Sequence, residues 1–210
     1  MITHLSIEEA TGQIYSYLAE KTGWKLLKST RSLKKTVKDL VFEIRFHSSK
    51  WNRSHEQVEI KCELQMRSKN LGKTCTTHSH VGFFQFPPPE GYWWDISTET
   101  SLNNTMQALE VAIKQYAVGL CERFEHDYNK AILHLLDNQV FDAYHVRLEF
   151  VALHLGEDAV IAKAQRIYNS LPAETKSQVK DYQAGDRSRF WMINPSNLRF
   201  IIDSGLIDTH

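Results

Sequence analysis

"LVFEIRFH" at residues 40–47 and "QVEIKCELQMR" at residues 57–67 are the two stretches that decide the fold. In both, apolar residues occupy every second position, and apart from Val41 the residues between them are charged or polar. Successive side chains of a β-strand point to opposite faces, so this period of two predicts strands with one buried and one solvated face. The buried face is predicted to hold Leu40, Phe42, Ile44, Phe46, Val58, Ile60, Cys62 and Leu64.

Three weaker strand patterns surround this pair, at residues 24–30, at residues 79–86 and from Tyr92 to Ile96. The polar link from Ser48 to His55 is short enough for a hairpin. Short sequential strands with turn-like links favour an antiparallel meander. We therefore predict an antiparallel sheet of four to five strands.

Helical patterns precede and follow the strand segments. Residues 7–21 place apolar side chains at spacings of three and four, with Ser6 as a suitable N-cap and Gly23 as a stop. Residues 99–125 carry a long apolar stripe, which suits a helix that lies across a sheet, and Ser97 or Thr98 can cap it.

From Asp127 onward the sequence reads as helices. The predicted segments are Ala143–Leu155 closed by Gly156, Glu157–Leu171, a helix opened by Pro172, and one opened by Asn194-Pro195 and ended by Gly205. The predicted class is α+β, an antiparallel sheet packed with a long helix and followed by an all-helical part. We expect a sheet domain at residues 1–126 and a helical region at residues 127–210 docked on it, or one compact domain.

Composition excludes several classes of protein. Of 210 residues, 25 are Lys or Arg and 25 are Asp or Glu, which argues against a dedicated nucleic-acid binder. Three cysteines at long spacings favour reduced thiols over a disulfide framework. No run of about 18 apolar residues occurs, and Met1 to Gln13 lacks the apolar core of a signal peptide. We therefore expect a cytoplasmic protein without membrane association.

Residues 21–38 form a basic stretch of seven lysines and arginines without an acid. Phosphate or an acidic protein surface is attracted to such a cluster, so Lys28, Lys34 and Lys35 are candidate binding residues. Only Trp24 in this stretch can stack on a base, which makes nucleic acid the weaker alternative. The other interpretation is a solvated sheet edge, whose lysines discourage edge-to-edge pairing.

An aromatic cluster surrounds three consecutive prolines. Six aromatic residues fall within the twelve positions from Phe83 to Trp94, and Trp51 is a further member. Trp93 and Trp94 are candidate anchors for a protein partner, because exposed aromatic side chains often dominate binding. Strand alternation places about half of the cluster in the core, and a mainly buried cluster is the stronger interpretation.

Two smaller groups complete the candidate sites. Arg187 and Arg189 lie between predicted helices. Either they bind an acidic group, or they belong to an ordinary surface loop.

Cys75, His78 and His80 are metal-ligand residue types at short spacing. In a strand, Cys75 faces away from both histidines, and no nearby acid completes a ligand set. We therefore predict no metal and no cofactor. The sequence also lacks a nucleophile elbow and a glycine-rich phosphate loop.

The segments "GWKLLKSTRSLKKT", "VFEIRFHSSKWN", "VEIKCELQMRSK" and "YWWDIS", followed by the long helix, resemble a large bacterial family of unknown function. The resemblance covers about residues 7–125. It implies a small α+β domain of a kind found, for some members, near toxin or immunity genes. The family supplies no functional residue to transfer.

These observations favour a non-enzymatic module that binds another protein, as an interaction or immunity-like protein. Uneven charge supports this, since residues 1–75 hold 14 Lys or Arg and 8 Asp or Glu, and residues 76–210 hold 11 and 17. One alternative is a small-molecule-binding protein or enzyme with a site between sheet and helical half, using His78 and His80. A further alternative is a nucleic-acid-associated protein that uses residues 21–38.

Overall fold

The computed structural model describes residues 3–74, 79–141, 146–186 and 196–207. The chain divides into two compact units, Met1–Ala131 and Ile132–His210. The first unit contains the sheet and the second is helical. The predicted α+β class, with an antiparallel sheet and a helical C-terminal part, is therefore confirmed.

The elements of the first unit are, in chain order, α1 (Ile7–Thr22), β1 (Lys25–Leu27), β2 (Ser32–Val37), β3 (Leu40–Ser48), β4 (Glu59–Ser68), α2 (Leu71–Thr74), β5 (His80–Phe86), β6 (Trp94–Asp95), α3 (Glu99–Ile113), a π-helical turn (Lys114–Val118) and α4 (Gly119–His126). Helix α5 (Tyr128–Asp137) crosses into the second unit, which continues with α6 (Leu148–Leu155), a 3-10 turn (Glu157–Ala159), α7 (Ile161–Asn169), α8 (Ala173–Gln183) and α9 (Ser196–Asp203).

Helix α1 begins and ends where the sequence predicts. The backbone N–H of Glu9 donates to Ser6 Oγ at 3.2 Å, and the carboxylate of Glu9 accepts from the backbone N–H of Ser6 at 3.0 Å. This reciprocal capping box satisfies two amide donors that the helix leaves unpaired. Gly23 ends the helix at φ +67°, and its N–H donates to the carbonyl of Ala19. Glycine adopts this left-handed conformation without steric cost.

The strands form one antiparallel sheet in the order β1-β2-β3-β4-β5, and β6 pairs with the first residues of β4. Residues that face each other across neighbouring strands share one side of the sheet. We call the side that carries Phe42 and its partner Met66 the inner face. All eight side chains predicted for the covered face are buried, seven of them at paired inner-face positions and Val58 just before β4.

Three ring contacts pack helices against the inner face. They join Tyr15 of α1 to Phe46 at 4.6 Å, Phe124 of α4 to Phe42 at 5.8 Å, and Tyr116 of the π-helical turn to Phe84 at 4.9 Å between ring centroids. The single helix predicted at residues 99–125 is instead α3, the π-helical turn and α4 in succession, with Thr98 as the N-cap.

Strand β2 is missing from the sequence prediction, which placed one strand at residues 24–30 and assigned the next residues to a basic stretch. Leu33 and Val37 of β2 point inward, but Lys35 stands between them and hides the alternation. Lys35 occupies this inner position because its ammonium reaches the carboxylate of Glu125 on α4 at 3.0 Å. Polar and charged residues are thus accommodated where a long side chain reaches a partner.

The second unit departs from the predicted helices in two places. The segment predicted as one helix, Glu157–Leu171, is a 3-10 turn followed by α7, and α6 begins at Leu148 rather than at Ala143. Residues 142–145 and Asn194-Pro195 lie outside the described residues. Gly156 ends α6 at φ +88°. None of the described helices combines the length and the apolar character that crossing a membrane requires.

Candidate protein-binding surface

The outer face of the sheet lies opposite the side that packs against α1 and α4, and strand pairing arranges its side chains in rows. One row is Lys25, Lys34, Glu43, Gln65 and Phe83, and the next is Leu27, Ser32, Arg45, Glu63 and Gln85. Arg67 belongs to a third row with Thr36 and Val41. We call the group of Lys25, Lys34, Glu43, Arg45 and Arg67 the basic patch.

Glu43 lies at the centre of the basic patch and is only 3% exposed. Its carboxylate accepts hydrogen bonds from Ser32 Oγ at 2.9 Å and from Arg45 Nη2 at 3.2 Å, and it also pairs with Arg67 Nη2. Burial by itself raises the pKa of Glu43, but the hydrogen bonds from Ser32 and Arg45 and the charges of both arginines lower it below its ordinary value. The carboxylate is therefore ionised at neutral pH and holds both guanidinium groups in place.

Both arginines of the patch remain accessible to a ligand. Their side chains are 35% exposed for Arg45 and 31% for Arg67. Glu43 engages Nη2 of each guanidinium. A guanidinium carries five N–H donors in a planar fork. Donors thus remain on both arginines for a carboxylate that approaches the outer face.

The lysines of the patch enlarge its positive charge. Lys25 is exposed, and Lys34 faces it from the neighbouring strand and is half-buried. Neither lysine forms an ion pair with any residue that the structure describes. Four cations and the single carboxylate of Glu43 give the basic patch a formal charge of +3.

The three lysines predicted as one site lie in different places. Lys34 belongs to the basic patch on the outer face, whereas Lys35 is on the inner face beside Glu125, whose hydrogen bond raises the pKa of Lys35. Lys28 is exposed in the turn between β1 and β2. The basic stretch at residues 21–38 therefore does not form one continuous surface, because strand alternation divides it.

The aromatic cluster divides in the same way. Trp94 lies in the core, 5% exposed, and its Nε1 donates to the carbonyl of Phe86 at 2.8 Å, so it does not present a binding surface. Trp93 is half-buried, and Tyr92 is 60% exposed. Trp51, in the loop between β3 and β4, is 70% exposed. The predicted anchor Trp93 thus stays at the surface with a second aromatic residue beside it.

Tyr92 and Trp93 enclose the ammonium group of Lys61, and we call these two rings the aromatic corner. Lys61 lies on the outer face, opposite His47. Its Nζ is 3.4 Å from the centroid of the Tyr92 ring and 4.4 Å from that of Trp93. The two ring planes meet at 83°, with centroids 6.1 Å apart.

Most of the remaining predicted site residues lie in parts of the chain that the structure does not describe. Arg187, Arg189, Cys75 and His78 lie outside the described residues, and His80 is exposed at the start of β5. Within residues 3–74, 79–141, 146–186 and 196–207, no group of three or more His, Cys, Asp or Glu side chains is placed to hold a metal ion.

Comparisons with family models, with curated proteins and with solved structures found no match to this chain.

Proposed function

We propose that this protein binds an acidic segment of another protein on the basic patch. The observation that carries the proposal is the arrangement of four cations around one buried carboxylate, on the side of the sheet that faces away from α1 and α4. An interaction or immunity-like module, the class that the sequence favours, requires such a preformed and selective surface.

Glu43 prepares the patch for a carboxylate ligand. By holding Arg45 and Arg67 through one Nη atom each, it restricts their rotamers before any partner arrives. Fixing a side chain in advance reduces the entropy that binding costs. Arginine pairs with carboxylates through two parallel hydrogen bonds, which adds directional selectivity to the charge attraction. The formal charge of +3 also accelerates the encounter with an acidic partner.

The size of the patch suits a short extended peptide. Lys25, Lys34, Arg45 and Arg67 lie on four neighbouring strands. Strands in a sheet are about 4.8 Å apart, so the patch is about 14 Å wide, which an extended chain covers with about four residues.

A nucleic-acid ligand is less well supported by this geometry. A phosphate backbone is usually followed by a continuous groove of cations with aromatic rings for the bases. Here Lys34 and Lys35 lie on opposite faces of the sheet and Lys28 lies in a turn, so the three lysines do not form such a groove.

A charge-reversal experiment with a matched control tests the proposal. The probe is a fluorescent poly-glutamate peptide, and the readout is fluorescence anisotropy at low salt and at about 0.15 M salt. Lys25→Glu/Lys34→Glu reverses the charge on the outer face, and Lys35→Glu makes the same change one residue away on the inner face. Each reversal removes an attraction and adds a repulsion of about 0.5 kcal/mol, so the double variant should bind at least about tenfold more weakly. The control should stay within about twofold of wild type.

Three outcomes contradict the proposal. The first is no binding of poly-glutamate by the wild-type protein. The second is an equal loss of affinity in Lys35→Glu, which places the contact elsewhere. The third is tighter binding of duplex DNA than of poly-glutamate at about 0.15 M salt, with a steep dependence on salt concentration, which replaces the acidic protein segment with nucleic acid.

A further inference from the structure

We infer that the aromatic corner is a second binding site, specific for an alkylated ammonium group, and that Lys61 occupies it in the free protein. The site is separate from the basic patch, so this inference does not depend on the proposed function. An alkylated ammonium group has two natural sources, a small choline-like molecule or a methylated lysine of another protein.

The geometry is that of two walls of an aromatic cage. The faces of aromatic rings carry negative electrostatic potential and attract cations within about 6 Å of the centroid. The Nζ of Lys61 lies 3.4 Å from the Tyr92 centroid and 4.4 Å from that of Trp93, so one ammonium group contacts both rings. Rings at 83° to each other form a corner that matches a rounded cation.

The surroundings of the corner are acidic. Glu59 and Glu63 flank Lys61 at the neighbouring outer-face positions of β4, and Asp95 of β6 lies opposite Glu59. Three carboxylates thus occupy outer-face positions near Lys61 in the sheet, and Glu63 also contacts His47 Nε2 at 3.0 Å. This end of the outer face consequently attracts cations, in contrast to the basic patch.

An alkylated ammonium group suits the corner better than the present occupant. A primary ammonium group is compact and strongly hydrated, so it loses favourable contacts with water when it lies against a ring. A trimethylammonium group spreads its charge over methyl groups, and recognition of such groups by aromatic cages is well established. Tyr92 is 60% exposed, which leaves the corner open to a ligand from solvent. Lys61 has a flexible stem and can withdraw without backbone movement.

Competition with Lys61 gives the inference a measurable consequence. A partly exposed cation–π contact has a free energy of about 0.5–1 kcal/mol, which corresponds to a factor of about two to five in an equilibrium constant. Lys61→Ala should therefore raise the affinity of the corner for tetramethylammonium by about two- to fivefold. Lys50→Ala is the matched control, because Lys50 Nζ lies 4.8 Å from the centroid of a different indole, that of Trp51.

Proton NMR of tetramethylammonium, titrated with each protein, measures this effect. Contact with ring faces should shift the methyl resonance upfield, and the shift should saturate at lower protein concentration with Lys61→Ala than with wild type. Lys50→Ala should match wild type. Tyr92→Ala should remove most of the shift, and because Tyr92 is mainly exposed this variant should keep the thermal stability of the parent.

The same titration decides against the inference in two cases. It is overturned if Lys61→Ala binds no more tightly than wild type, or if Tyr92→Ala retains the full upfield shift. Choline and a trimethyllysine peptide, each compared with its unmethylated form, then distinguish the two sources. Preference for either methylated ligand supports the site, and equal binding of methylated and unmethylated forms contradicts the claimed selectivity.

Discussion

Substitution of Phe42 by alanine is the sharpest test of the sheet register. Phe42 is completely buried at the centre of β3, between its strand partners Lys35 and Met66. Its ring also meets those of Trp24 and Phe124 edge to face, at centroid distances of 6.3 and 5.8 Å. The substitution therefore removes a large apolar side chain and two specific ring contacts, and it leaves a cavity below the sheet.

The expected loss of stability follows from these contacts. Burial of a phenylalanine side chain stabilises a protein by about 1.5–3 kcal/mol, and each favourable aromatic pair adds about 0.5–1.5 kcal/mol. Together these terms give about 4 kcal/mol for Phe42→Ala, within the range of about 3–5 kcal/mol that is typical of buried phenylalanines. Phe83 lies half-buried on the outer face, so Phe83→Ala should cost only about 1 kcal/mol.

Urea unfolding followed by tryptophan fluorescence measures both variants. Four of the five tryptophans, Trp24, Trp51, Trp93 and Trp94, belong to the first unit, so the signal reports mainly on the unit that contains Phe42. With a denaturant dependence of about 2 kcal/mol per molar urea, Phe42→Ala should lower the midpoint by about 2 M. A loss below about 1 kcal/mol, or a loss no larger than that of Phe83→Ala, would show that the inner face is assigned incorrectly.

Three further predictions concern the carboxylate of Glu43, the thiols of Cys62 and Cys121, and the metal content of the purified protein. The folded-state pKa of Glu43 is lowered, so the carboxylate contributes stability above its unfolded pKa of about 4.3 and loses it as the pH falls through the folded value. In urea melts at a series of pH values, Glu43→Gln should therefore lose less stability on acidification than wild type, and parallel curves would contradict this. Burial raises the pKa of the Cys62 thiol well above its ordinary value. Burial and the nearby charge of Glu125 raise the pKa of the Cys121 thiol to about 12. In Cys75→Ser protein, both thiols should react with a disulfide reagent only after unfolding, and rapid reaction in the native state would refute their burial. Elemental analysis of the purified wild-type protein should find well under one equivalent of metal, whereas a stoichiometric ion would make residues 75–80 a ligand segment.

The strands with regular alternation could be predicted from the sequence, and β2 could not. In β3 and β4 every inner position holds an apolar residue until the last residue of each strand, Ser48 and Ser68, so the period of two is unmistakable. In β2 the ion pair between Lys35 and Glu125 replaces apolar packing at one inner position. That partner lies ninety residues away in the sequence, which local pattern reading does not reveal.

The candidate site depends even more on contacts that only the fold creates. Glu43, Arg45 and Arg67 come from two strands, and the sequence does not state which residues of these strands face each other. The sequence shows only that Glu43 and Arg45 stand at alternate, polar positions of one strand, which places both side chains on the same face of the sheet. Trp93 and Trp94 are a simpler case, since neighbours in an extended chain point to opposite sides and only one of them can be an anchor.

Chemical-shift mapping with poly-glutamate tests the central claim most directly, because it locates the contact as well as detecting it. Backbone amide resonances of the isotope-labelled protein should shift most at Lys25, Lys34, Arg45 and Arg67, and the shifts should fade as salt screens the charges. Amides beside Lys35 and Glu125 should change little. Shifts that concentrate on α4 or in the second unit, with the four patch residues unaffected, would contradict the proposal that an acidic segment binds the outer face.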